Sequence, residues 1–144
     1  MYRKDLTMAE GSIAGSCLCG EVRFEIAPPF SGFRYCHCSR CRKATGAAHA
    51  ANIFLPQKQF KWLAGEERVK RFDLPGAQRF AVWFCRDCGT RVPHQIRTTE
   101  NVLIPAGLLE SDPGIRPEYC IFWGSKAPWH VETHELKKHQ EYAG

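Results

Sequence analysis

Seven of the eight cysteines in this 144-residue chain fall in three short clusters: Cys17-Leu18-Cys19-Gly20, Cys36-His37-Cys38-Ser39-Arg40-Cys41 and Cys85-Arg86-Asp87-Cys88-Gly89. Thiolates at such spacing are metal ligands, and zinc takes four of them in a tetrahedron with sulfur at about 2.3 Å. Gly20 and Gly89 each follow the last cysteine of an outer pair, where a tight knuckle turn calls for positive φ or close backbone approach. Cys17 and Cys19 with Cys85 and Cys88 therefore read as one closed site, a structural clamp expected to staple the two ends of a sheet.

Cys36, Cys38 and Cys41 remain, and they fill three corners of a second tetrahedron. Three protein ligands with one open position are the arrangement of a catalytic zinc, which lowers the pKa of a bound water or thiol and holds it as a nucleophile. The expected cofactor content is two Zn2+ per chain, one structural and one catalytic. His37 or Cys120 could close the second site. His37 stands between two cysteines whose sulfurs face one way, so its ring is expected to point away from them. Cys120 lies in an apolar run and reads as a small core residue. Other arrangements stay open: Cys17 and Cys19 could pair with Cys36 and Cys38, and Cys85-x-x-Cys88 has the spacing of a redox pair, although its surroundings are β-rich and lack the βαβ context of such motifs.

These clusters need short, rigid elements to hold them. The length suits one domain, and 44% apolar with 24% charged residues is a globular composition. Val22, Phe24 and Ile26 alternate with charged residues over 21–26, the pattern of a half-buried strand. Further strand-length runs occur at 50–54, 59–62, 68–74, 79–84, 91–96, 101–105 and 118–123, with turn residues between them. Two stretches, 39–45 and 133–142, read as short helices, and 1–14 as a flexible leader before a domain spanning 15–144. The fold class is mainly β: a single domain of several short antiparallel sheets pinned by zinc. The first fifteen residues lack the apolar region of a signal peptide, and no segment is apolar enough to span a membrane. A cytosolic location follows as an expectation, and there clustered thiols bind metal rather than form disulfides.

In combination, Gly15 to Phe24, Cys36 to Gly46, Phe84 to Thr90 and the late Gly124-Ser125-Lys126-Ala127-Pro128-Trp129 resemble the glutathione-dependent formaldehyde-activating enzyme family, which includes centromere protein V. The resemblance implies a β-tent of small sheets, a four-cysteine structural zinc site and a three-cysteine catalytic one. It further implies a carbon–sulfur lyase that forms or cleaves S-(hydroxymethyl)glutathione, with glutathione or another small thiol as partner. A basic neighbourhood would receive the carboxylates of such a thiol, and Arg40, Arg42 and Lys43 are the nearest cations in sequence. Their ordinary role would be a solvated basic turn. Cys120 is a departure, since family members often carry histidine there.

Two other functions compete. Arg34, Arg40, Arg42, Lys43, Lys58, Lys61, Arg68, Lys70 and Arg71 would serve a non-catalytic zinc module binding protein or nucleic acid. The charges are dispersed, however, and seven thiolates with two zinc ions would lower the net charge from +5 to about +2. Redox sensing by the central three cysteines is the third.

Overall fold

The computed structural model describes residues 11–144, which hold eleven short strands and one α-helix. Strands β1 (Ile13–Ser16), β2 (Arg23–Ile26) and β5 (Phe60–Ala64) form one sheet in the order β1-β2-β5. The second, in the order β11-β3-β4-β10-β9, contains β3 (Gly32–Cys36), β4 (Ala50–Pro56), β9 (His94–Gln95), β10 (Asn101–Pro105) and β11 (Tyr119–Ile121). A third joins β6 (Val69–Asp73), β7 (Ala81–Cys85) and β8 (Arg91–Val92) in chain order. All described pairings are antiparallel except β11 with β3. Helix α1 (Ser39–Thr45) connects β3 to β4.

Apolar side chains that alternate along β2, β4 and β10 meet between the first two sheets. Phe24, Ile26, Ile53, Leu55 and Ile104 are fully buried there, with Val102 and Phe33 beside them. Each such side chain contributes about 1.5–3 kcal/mol relative to exposure. Gly15 sits across from Phe24 in the β1–β2 register, and a Cβ at Gly15 would stand 2.3 Å from the Phe24 ring. The ring lies flat on a strand position that only glycine leaves open.

The seven expected strand runs after β2 each contain a strand, and α1 covers 39–45. The expected second helix is corrected. Within 133–142 only Thr133–Glu135 forms a 3-10 turn, because this charged stretch has no apolar face to bury; Leu136 is half exposed and short helices do not persist without tertiary packing. Lys138 Nζ instead donates to the Thr133 and Leu136 carbonyls. Of the expected leader, residues 1–10 lie outside the described residues, while Ile13 and Ala14 pair with Ile26 and Glu25 in β1. No helix among the described residues is long and apolar enough to cross a membrane.

Candidate functional site

The two outer cysteine pairs sit in hairpin turns. Cys17 and Cys19 occupy the β1–β2 turn, and Cys85 and Cys88 begin the β7–β8 turn. Their four Sγ atoms all lie within 4.8 Å of one another. Cys17 and Cys19 Sγ are 3.6 Å apart, and Cys19 and Cys85 Sγ 3.8 Å. The edge of a tetrahedron with 2.3 Å metal–sulfur bonds is about 3.8 Å, so the four sulfurs fit one zinc-sized ion. The expected staple across two ends of a sheet is corrected: the pairs join two different sheets, turn to turn. Strand β1, whose small residues gave no alternating signal, makes the first pair a hairpin turn rather than a strand start.

The backbone is shaped to these sulfurs. Gly20 and Gly89 have φ of 83° and 77°, the left-handed region where glycine is unstrained. The Val22 N–H donates to Cys17 Sγ and the Asp87 N–H to Cys85 Sγ. Thr90 links the turns: its hydroxyl accepts from the Leu18 N–H at 3.0 Å and lies 3.2 Å from Cys88 Sγ. Burial pushes the Cys88 thiol up, but hydrogen bonds from Thr90 and Cys19 together outweigh it and bring it down to about 6. Val22 and Val92 pack around the site together with Trp83.

The second group forms where β3 runs into α1. Cys36 ends the strand, Cys38 is the helix N-cap and Cys41 lies one turn on, so the strand-to-helix corner aims three sulfurs at one point. Cys38 Sγ accepts the Cys41 N–H at 3.3 Å, as a capping side chain does. The helix ends at Gly46 with φ of 66°, and the Thr45 hydroxyl donates to the Cys41 carbonyl. Hydrogen bonding with Cys41 brings the Cys36 thiol down to about 6 against the effect of burial. Cys41, its partner, is pushed up by that same bond and by burial.

His37 faces the other way. Its buried ring packs against His49, Trp123 and His130 with centroids 4.9, 5.0 and 5.1 Å away, and it belongs to neither sulfur group. Cys120 also lies outside both groups. It is exposed on β11, which corrects the expectation of a core residue: β11 is a sheet edge, so an apolar run there still meets solvent.

Cys36, Cys38 and Cys41 line a cavity of about 840 Å³ whose wall includes Arg40, Arg79, Phe80, Arg91, His94 and Phe122. Of the three cations nearest the cluster in sequence, Arg40 lines this cavity and Lys43 an adjoining groove of about 390 Å³. Arg42 lines neither, because residues three apart share a helix face and Arg42 falls off the face of Arg40 and Lys43. Three of the six more distant basic residues are engaged within the protein. Arg68 pairs with Glu21, Glu67 and Asp87, while Arg34 and Arg71 lie over Phe54 and Trp83.

Sequence reasoning missed the part of the cavity wall that comes from β8 and β9. The guanidinium of Arg91, on β8, is 5.9 Å from the Phe80 ring, and its Nε and Nη1 are buried with no partner among the described residues. Burial pushes its pKa down while the thiols of Cys41, Cys36 and Cys38 pull it up. His94 is almost wholly buried, and burial together with Arg91 pushes its pKa down to about 4, so its imidazole is neutral. At the mouth, exposed Phe122 holds φ of 55°, a strained conformation for an aromatic residue.

Both cysteine groups could therefore hold a metal ion, and their soft sulfur donors suit zinc. The four-sulfur group is closed by protein ligands; the three-sulfur group opens on a cavity.

The sequence model of the family described as glutathione-dependent formaldehyde-activating enzyme matches residues 12–125. A crystal structure of a Rhodobacter sphaeroides protein is similar with a TM-score of 0.58 and 27% identity, covering 74% of this chain and 97% of that one. Comparison with curated proteins gives no significant match.

Proposed function

The chain belongs to the glutathione-dependent formaldehyde-activating enzyme family, and from that premise we propose that it is a zinc-dependent carbon–sulfur lyase acting on a small thiol adduct. S-(hydroxymethyl)glutathione, formed from glutathione and formaldehyde, is the leading candidate. The observation that carries this reading is the placement of Cys36, Cys38 and Cys41 on the wall of a cavity large enough for such a ligand.

In the forward direction the thiol sulfur attacks the aldehyde carbon. A carbon–sulfur bond forms, the carbon–oxygen double bond becomes single, and the thiol proton ends on the oxygen; cleavage reverses each change. A metal ion held by Cys36, Cys38 and Cys41 would supply Lewis acidity to the sulfur or the oxygen. The protein's own groups do the rest. Arg40 meets negative charge from the helix side of the cavity, and Phe80 and Phe122 give it apolar wall. The clamp of Cys17, Cys19, Cys85 and Cys88 holds the sheet that carries Arg91 against the one that carries β1 and β2. A reducing compartment such as the cytosol would keep all seven thiols available.

The direct test is the rate of S-(hydroxymethyl)glutathione formation and breakdown with purified, zinc-loaded protein. Acceleration over the uncatalysed rate is expected. Equal rates with and without the protein would remove the formaldehyde assignment.

A further inference from the structure

Three arginines, Arg40, Arg79 and Arg91, share the cavity wall with the sulfurs of Cys36, Cys38 and Cys41, and no aspartate or glutamate lines it. Arg79 directs its Nε to the Thr98 hydroxyl. Arg91 is different, because its Nε and Nη1 are buried and make no hydrogen bond to any described residue, the cysteine sulfurs included. No described carboxylate pairs with it either. A desolvated guanidinium with unfilled donors is costly in the free protein, and its planar fork matches a carboxylate or similar oxyanion. His94 beside it is neutral and buried, with Nδ1 also unpartnered.

We propose that Arg91 receives an anionic oxygen of the cavity's ligand. This rests on the functional reading above, which supplies two sources for that oxygen: a carboxylate of the thiol, or the hydroxymethyl oxygen as it develops negative charge during cleavage. Arg91 selects anionic thiols in the first case and stabilises the reacting oxygen in the second.

The experiment uses the full metal-loaded chain, Arg91→Gln and Arg91→Lys, with glutathione, mercaptoacetate and uncharged mercaptoethanol as probes. Calorimetry gives each dissociation constant, and metal analysis gives zinc per chain. With a carboxylate source, Arg91→Gln weakens glutathione and mercaptoacetate by about ten- to hundredfold and leaves mercaptoethanol within about twofold. With an oxygen source, thiol affinities hold but cleavage of the hydroxymethyl adducts of all three thiols slows by about tenfold or more. Arg91→Lys keeps the charge without the fork and should fall between in either case; it decides the matter if Arg91→Gln does not fold. Loss of zinc from the variants, or unchanged affinities and rates, would overturn the proposal by leaving Arg91 a structural counter-charge. Wild-type protein that binds thiols without accelerating adduct chemistry overturns the functional reading instead, and the affinity ratios still decide Arg91's role.

Discussion

Two groups of cysteines of similar spacing occupy opposite kinds of surroundings in this protein. Four sulfurs meet between hairpin turns of two sheets, packed by Val22 and Val92 and tied by the Thr90 hydroxyl. Three sulfurs meet at a strand-to-helix corner, and the space beside them is a cavity walled by arginines and aromatic rings. Ligand chemistry is the same in both. What separates the two groups is the number of sulfurs the backbone delivers and what fills the remaining volume: protein in one case, room for a ligand in the other.

Removing one sulfur from each group should therefore have different consequences. Cys17→Ser is expected to be the most damaging change, because binding of a structural zinc contributes on the order of 10 kcal/mol, comparable with the entire stability of a small domain. The variant should be unfolded or insoluble at 25 °C, as monitored by circular dichroism and soluble yield. Melting within a few degrees of wild type would show that the four sulfurs do not hold the sheets together. Cys38→Ser should instead retain the fold, lose one metal ion per chain and lose at least about a hundredfold in activity. Serine is itself a good N-cap, so α1 keeps its start. A collapse in melting temperature equal to that of Cys17→Ser would erase the distinction between the groups.

Much of that distinction is legible in the residues alone. Cysteine spacing and the glycines at 20 and 89 define the knuckles, and alternation defines β2. Strand β3 was missed because Gly32 and Arg34 interrupt any apolar pattern; it forms through pairing with β4 and β11, contacts that a local window does not contain. The turn-to-turn clamp was likewise hidden until β1 paired with β2. Arg91 and His94 carry no local signal: they reach the cavity from β8 and β9, some fifty residues beyond the three cysteines they face, and only the packing of separate sheets brings them there.

Acid should act more strongly on the cavity side, where a buried imidazole adds to the titration of the thiols. His94 has a folded pKa of about 4, below the ordinary value near 6.5. Between those values the unfolded chain takes up a proton that the folded chain refuses. Its contribution is thus complete at pH 7 and is lost as pH falls through that window, at no more than about 1.4 kcal/mol per pH unit. Between pH 7 and pH 5 wild type should lose about 1–2 kcal/mol more than His94→Gln, read from urea midpoints. Parallel losses in the two proteins would place the acid sensitivity at the thiols alone.

The smallest contrast removes one hydroxyl from each group. Thr90→Val deprives the Leu18 N–H of its acceptor and breaks the contact with Cys88 across the two clamp turns. Thr45→Val removes only an exposed hydroxyl that donates to the Cys41 carbonyl within one helix, a bond that water replaces easily. Thr90→Val should cost about 1 kcal/mol and Thr45→Val less than half of that, both measured by denaturant titration with metal content unchanged. The inequality follows from where each bond lies: one ties together elements 72 residues apart, so losing it loosens the contact between two sheets, while the other reinforces a turn already held by its own backbone. Equal effects would mean that the clamp depends on its four sulfurs alone and that Thr90 adds no restraint between the turns.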